Sequence, residues 1–130
     1  MGKYLEVDGV EYPVAIIELK RKGDILDKTA NRTEDGDLHR EVIGTYYNYS
    51  MKIRPGTKDR ERKVYNALYW VLTAPVPYHE VKLPNETETV KMYFGSVQDE
   101  IKRIDENGEV YYSELSCNLV CKLPRRYANG

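Results

Sequence analysis

From residue 39 to residue 53 the chain alternates without interruption. Ile43, Thr45, Tyr47, Tyr49, Met51 and Ile53 fall on one side, and Val42, Gly44, Tyr46, Asn48, Ser50 and Lys52 on the other. A period of two over such a length marks a β-strand, and a strand needs paired neighbours, so a sheet must surround it. A polar stretch runs straight into it: Thr29, Asn31, Arg32, Thr33, Glu34, Asp35, Gly36 and Asp37, with a turn expected at Asp35-Gly36. The pairing predicts an extended hairpin arm, about residues 20–45, rising from the sheet. Residues 23–38 sustain no period, so this part is expected to be a solvated loop. Ile25 and Leu26 are its apolar exceptions, either a local staple or a contact surface.

The remaining elements follow from turn chemistry and periodicity. Asp8-Gly9, between Tyr4-Leu5-Glu6-Val7 and Val10-Glu11-Tyr12, supplies the positive φ angles of a two-residue hairpin. Residues 14–20 continue extended after Pro13. Residues 59–73 carry Val64, Ala67, Leu68, Val71 and Leu72 at helical spacing, broadened by Tyr65, Tyr69 and Trp70. Thr57 or Asp59 can cap that helix, and Pro75 and Pro77 prevent its continuation. Residues 78–83 and 88–94 flank the turn at residues 84–87. Phe94, Val97, Ile101 and Ile104 have helical spacing, yet residues 105–108 signal a hairpin that needs an incoming strand; of helix and strand, residues 95–104 are read as a strand bulged near Gly95-Ser96. Leu115, Cys117, Leu119, Cys121 and Leu123 alternate along a last strand. The fold class is therefore α+β, mainly β: an antiparallel sheet or small β-sandwich with one packed helix. Residues 1–126 are expected to form a single domain, and residues 127–130 a mobile tail.

Composition excludes several function classes. The 20 Lys and Arg against 21 Asp and Glu leave no global field for nucleic acid or an anionic membrane. Apolar runs are far shorter than the ~20 residues of a membrane-spanning helix. The charged beginning lacks a signal-peptide core, so synthesis without secretory export is expected. Cys117 and Cys121 lie on one strand with Cα atoms ~13 Å apart, beyond disulfide reach, and are expected as free core thiols.

Chemistry needs convergent groups, and these are sparse. His39 and His79 stand far apart with no motif around either. The alternating apolar neighbours of Cys117 predict burial, which raises a thiol pKa. Asp35, Asp37 and His39 are spaced for a shared face, yet Gly36 and the loop setting oppose a rigid metal site. Basic clusters at Lys20-Arg21-Lys22, at residues 58–63 and at Arg125-Arg126 are matched by nearby acids. No catalytic, cofactor-binding or metal-ligating residue is assigned, and no cofactor is expected. Tyrosine is abundant instead, at 12 residues against one Phe and one Trp. It suits surfaces that are alternately wet and covered. Tyr46 and Tyr47 point to opposite faces, so at least one hydroxyl is expected to reach solvent or a neighbouring chain.

The stretch ILDKTANRTEDGDLHREVIGTYYNYSMKI, followed by KVYNALYWVLTAPVPYHEV, VKMYFGSVQDEIKRI and SELSCNLVCKLPRR, resembles small tail-associated structural proteins of tailed phages and prophages of Gram-positive bacteria. That resemblance implies a sheet or sandwich with a flanking helix and a long arm that contacts the next subunit. It implies a non-enzymatic virion component, a tail tube, baseplate or connector protein that assembles in the bacterial cytoplasm. The expected partners are copies of itself or other virion proteins, with neither membrane nor nucleic acid. The alternative is a phage-encoded protein-binding inhibitor acting in the host cytoplasm. The expected protein-contact residues are Ile25, Leu26, Arg32, Glu34, Asp37, His39, Tyr46 and Tyr47.

Overall fold

The computed structural model describes residues 4–128. Its strands belong to one curled antiparallel sheet rather than a sandwich, and a single helix packs on it. In chain order these are β1 (Leu5–Val7), β2 (Val10–Tyr12), β3 (Ala15–Arg32), β4 (Leu38–Arg54), α1 (Asp59–Leu72), β5 (His79–Lys82), β6 (Val90–Ile104), β7 (Val110–Cys121) and β8 (Arg126–Tyr127). The spatial order is β2-β1-β5-β6-β7-β4-β3, with β8 added to β4.

Each turn forms where the sequence supplies its backbone angles. Asp8 and Gly9 take φ of 53° and 83° and close the β1–β2 hairpin. Gly108 (φ 82°) closes β6–β7, helped by Asp105 Oδ1, which accepts from the Asn107 and Glu109 N–H groups at 2.9 Å. The β6 strand covers the segment with helical spacing, and its register slips between Gly95 and Gln98, where Ser96 has φ 51°. Such a bulge shifts the apolar period of a strand, which explains the mixed spacing.

The core is the inner face of this sheet covered by α1. Tyr49, Met51 and Ile53 of β4, Leu115 and Leu119 of β7, and Leu5 and Val7 of β1 bury against Tyr65, Leu68 and Leu72. The helix departs from expectation in two ways. Its stripe centres on Tyr65, leaving Ala67 exposed and Trp70 80% exposed, so Trp70 does not broaden the buried face. Its N-cap is Lys58, not Thr57 or Asp59; the Lys58 N–H donates to Glu61 Oε1 at 3.1 Å. Tyr65 reaches the core because its hydroxyl donates to Asp99 Oδ2 at 2.5 Å, satisfying the polar tip of an otherwise apolar side chain. Burial, reinforced by that carboxylate, pushes its pKa well up.

Two hydrogen-bonded clusters around carboxylates fasten the periphery to the sheet. Asp8 Oδ2 meets Nδ1 of the buried His79 at 2.7 Å, and Oδ1 accepts from the Glu80 N–H, tying the first hairpin to β5. Glu86, in the β5–β6 connection, accepts from the Tyr49 hydroxyl at 2.5 Å and from both terminal nitrogens of Arg125 at 3.2 and 3.3 Å. This second cluster joins the β5–β6 loop and β4 to the segment leading into β8. Burial alone would raise both carboxyls. The Tyr49 and Arg125 donors hold Glu86 below the usual carboxylate range, and the bonds from His79 and Glu80 do the same for Asp8.

Beyond the turn at residues 33–37, the segment expected as a loop is strand: β3 continues to Arg32, paired to β4 apart from a bulge at Lys28. The loop reading failed because a hairpin solvated on both faces has no apolar period to display. Of the expected tail, residues 129 and 130 lie outside the described residues, while Tyr127 pairs with Gly44.

Removing the Leu68 side chain, fully buried at the helix–sheet contact, should cost about 2–5 kcal/mol; urea unfolding of Leu68→Ala measures this. The depressed Asp8 and Glu86 carboxyls contribute stability above their unfolded values, about pH 4, and lose it as pH falls through the folded values. Thermal melts from neutral pH downward should therefore drop steeply below about pH 4. The Asp8→Asn/Glu86→Gln protein should melt lower at neutral pH and show a shallower acid decline.

Candidate functional site

The candidate site is the arm formed by the distal halves of β3 and β4. The ladder runs from Lys20↔Ser50 through Ile25↔Thr45 to Arg32↔Leu38. Past the last β7 pair at Tyr49 and the short β8 pair at Gly44 and Thr45, the two strands have only each other among the described residues. Register shifts between Leu26 and Asp27 and between Asp27 and Thr29 sharpen the local twist.

The root is fixed by the chain's last segment. The Arg125 N–H donates to the Thr45 carbonyl at 2.9 Å, and the Ala128 N–H to the Ile43 carbonyl at 3.1 Å. Gly44 is required there, because a Cβ would strike the Arg126 carbonyl oxygen and approach Pro124 Cβ to 2.9 Å. The Arg21 and Arg125 guanidinium groups each stand over the Tyr47 ring, 5.4 and 5.6 Å from its centroid. Tyr46, opposite Asp24, is half-buried, as is Tyr47.

The tip is held by short-range hydrogen bonds. The Thr33 N–H donates to the Asp37 carbonyl at 2.8 Å, and the Gly36 N–H to the Thr33 carbonyl at 2.9 Å, with Gly36 at φ 88°. Arg32 Nη1 donates to the Gly36 carbonyl at 2.9 Å. The Thr33 hydroxyl and the Asp37 N–H both bond Asp35 Oδ1, which holds that carboxyl below its ordinary value. Along the shaft, Arg40 grips the Asp27 carboxylate through Nε and Nη2, the shorter contact being 2.7 Å.

All the expected contact residues lie on this one arm. Arg32, Glu34, Asp37 and His39 gather at the tip, Ile25 and Leu26 on the shaft, and Tyr46 and Tyr47 at the root. Ile25 and Leu26, 58% and 48% exposed, are successive residues of a regular strand and so face opposite ways; they do not staple each other. Sequence reading missed Leu38 and Ile43, also exposed on the arm. Leu38 is hidden between Asp37 and His39, and Ile43 shares the parity of core residues but lies beyond the core.

The geometry offers little chemistry. Burial pushes the Cys117 thiol up to about 12, far from a nucleophilic thiolate. His79 is engaged with Asp8, and His39 Nε2 stands 3.5 Å from Asp37 Oδ2 at the exposed tip. Among the described residues, no group of three or more His, Cys, Asp or Glu side chains is placed to hold a metal.

No protein-family model matches the sequence, and no curated protein matches it. In three dimensions the chain is similar to the Dit protein of phage SPP1, described as a paradigm of the hub adsorption apparatus in phages that infect Gram-positive bacteria. The TM-score is 0.54 at 10% identity, covering 96% of this chain and 51% of that one. This chain thus spans about half the length of that protein, and the likeness is one of fold.

Proposed function

We propose that this protein is a non-enzymatic virion component, a tail-associated subunit that works by self-assembly through the β3–β4 arm. The observation that carries this is the arm itself: a hairpin paired from root to tip, apart from bulges at Lys28 and Ile43, that leaves the core while exposing Ile25, Leu26, Leu38 and Ile43. Aliphatic side chains on a preformed ladder gain about 25 cal/mol per Å² of apolar surface covered, at little cost in backbone ordering. The outer edge of β3, which pairs with no further strand among the described residues, adds a row of backbone groups that a neighbouring chain can complete. The fold likeness to a tail hub protein supports the same role. On this reading the protein is part of the virion, built up in the bacterial cytoplasm, with copies of itself or other virion proteins as partners.

The arm can be shortened without breaking the ladder, because Asp27 pairs directly with Val42. Replacing residues 28–41 by Asn-Gly supplies a two-residue hairpin turn at that pair. With Ile25→Thr, Leu26→Thr and Ile43→Thr added to the shortened chain, light scattering on a sizing column should show concentration-dependent oligomers for the full chain and a monomer for the shortened one, with similar melting temperatures. A full chain that stays monomeric at high concentration contradicts the proposal, as does a shortened chain that assembles normally.

A further inference from the structure

The arm's tip and its root carry complementary chemistry. Glu34, Asp35 and Asp37 place three carboxylates in the turn, and the adjacent cation, Arg32, is engaged with the Gly36 carbonyl. At the root, on the sheet face away from α1, lies an open trough of about 510 Å³. Lys20, Ser50 and Asn118 stand side by side across β3, β4 and β7, and Lys22 and Asn48 form the next row. No carboxylate is among the lining residues. The lysine side chains are 72% and 79% exposed, and each is ion-paired along its own strand, Lys20 Nζ with Glu18 at 3.8 Å and Lys22 Nζ with Asp24 at 3.5 Å, so a docking carboxylate would share or displace those exposed partners. Asn48 is locked by bonds to the Cys121 N–H and Asp24, which fixes the wall. Two ammonium groups with a hydroxyl and a carboxamide beside them make a donor-rich seat for carboxylates.

The chain cannot fill this seat itself. Lys22 and Arg32 lie on one continuous paired strand, ten residues or ~33 Å apart, so the tip points away from its own root. We propose that the carboxylate turn of one copy's arm docks in the Lys20/Lys22 trough of a second copy. Such a contact is heterologous, each subunit giving a tip and receiving one, and it propagates into a ring or a filament. The inference rests on the self-assembly reading and supplies its acceptor surface.

Sedimentation velocity on two charge-reversed proteins tests it, with thermal melts as the folding control. Lys20→Glu/Lys22→Glu makes tip and trough both acidic; Glu34→Lys/Asp37→Lys makes both basic and spares Asp35, which holds the turn. Each alone should lose assembly at least tenfold in the concentration required. An equimolar mixture should restore it, because acidic tips then meet basic troughs and the reverse. High salt, about 1 M, should weaken the wild-type assembly by screening. Variants that assemble like the wild type overturn the docking contact and leave self-assembly standing, as does a mixture that fails to recover. If only the trough variant loses assembly, another acidic segment is the occupant and the proposal fails. A wild-type chain that is monomeric throughout removes the self-assembly reading itself.

Discussion

The architecture depends on the backbone ladder of β4. This strand, Leu38–Arg54, pairs with β3 along nearly its whole length, with β7 at residues 49–53 and with β8 at Gly44 and Thr45. Its inner face supplies Tyr49, Met51 and Ile53 to the helix-covered core, and its other end is half of the arm. One strand is therefore both anchor and lever. Packing that fixes residues 49–53 fixes the direction in which residues 38–45 project, since a paired strand transmits orientation along its length.

The root clusters make that lever stiff. Glu86 brings Tyr49 and Arg125 together where β4 leaves the core, and Arg125 also covers Tyr47. Gly44 lets the segment before β8 lie flush against the strand. A contact element held this way has already lost its conformational entropy before a partner arrives, so more of the contact energy remains for association. The proposed docking of a carboxylate turn in a lysine-lined trough uses the same property. It needs tip and trough at a fixed separation on every copy.

Much of this architecture was legible in the sequence, and the failures have physical causes. The alternation of residues 42–53 announced β4 because one face is buried and the other wet. Asp8-Gly9, Asp35-Gly36 and Asn107-Gly108 announced turns because few residues tolerate positive φ. Residues 24–32 gave no strand signal: both faces are solvated there, and two register shifts break whatever parity remains. Trp70 was misplaced because helical spacing identifies a face only to within about one residue per turn. The contact residues named from sequence all fall on the arm, since polar excursion and projecting hairpin coincide. The trough was not legible, because Lys20, Ser50 and Asn118 meet only through the registers of three strands.

The central claim is that the arm is a preformed, rigid extension of the core sheet. Amide hydrogen exchange on the dilute, unassembled chain tests it most directly. The account predicts protection of the inward-paired amides of residues 24–32 and 38–46 well above that of the turn at residues 33–37, sustained along the ladder toward the core. Exchange of those amides at the rate of an unstructured peptide, with residues 49–53 still protected, would contradict it.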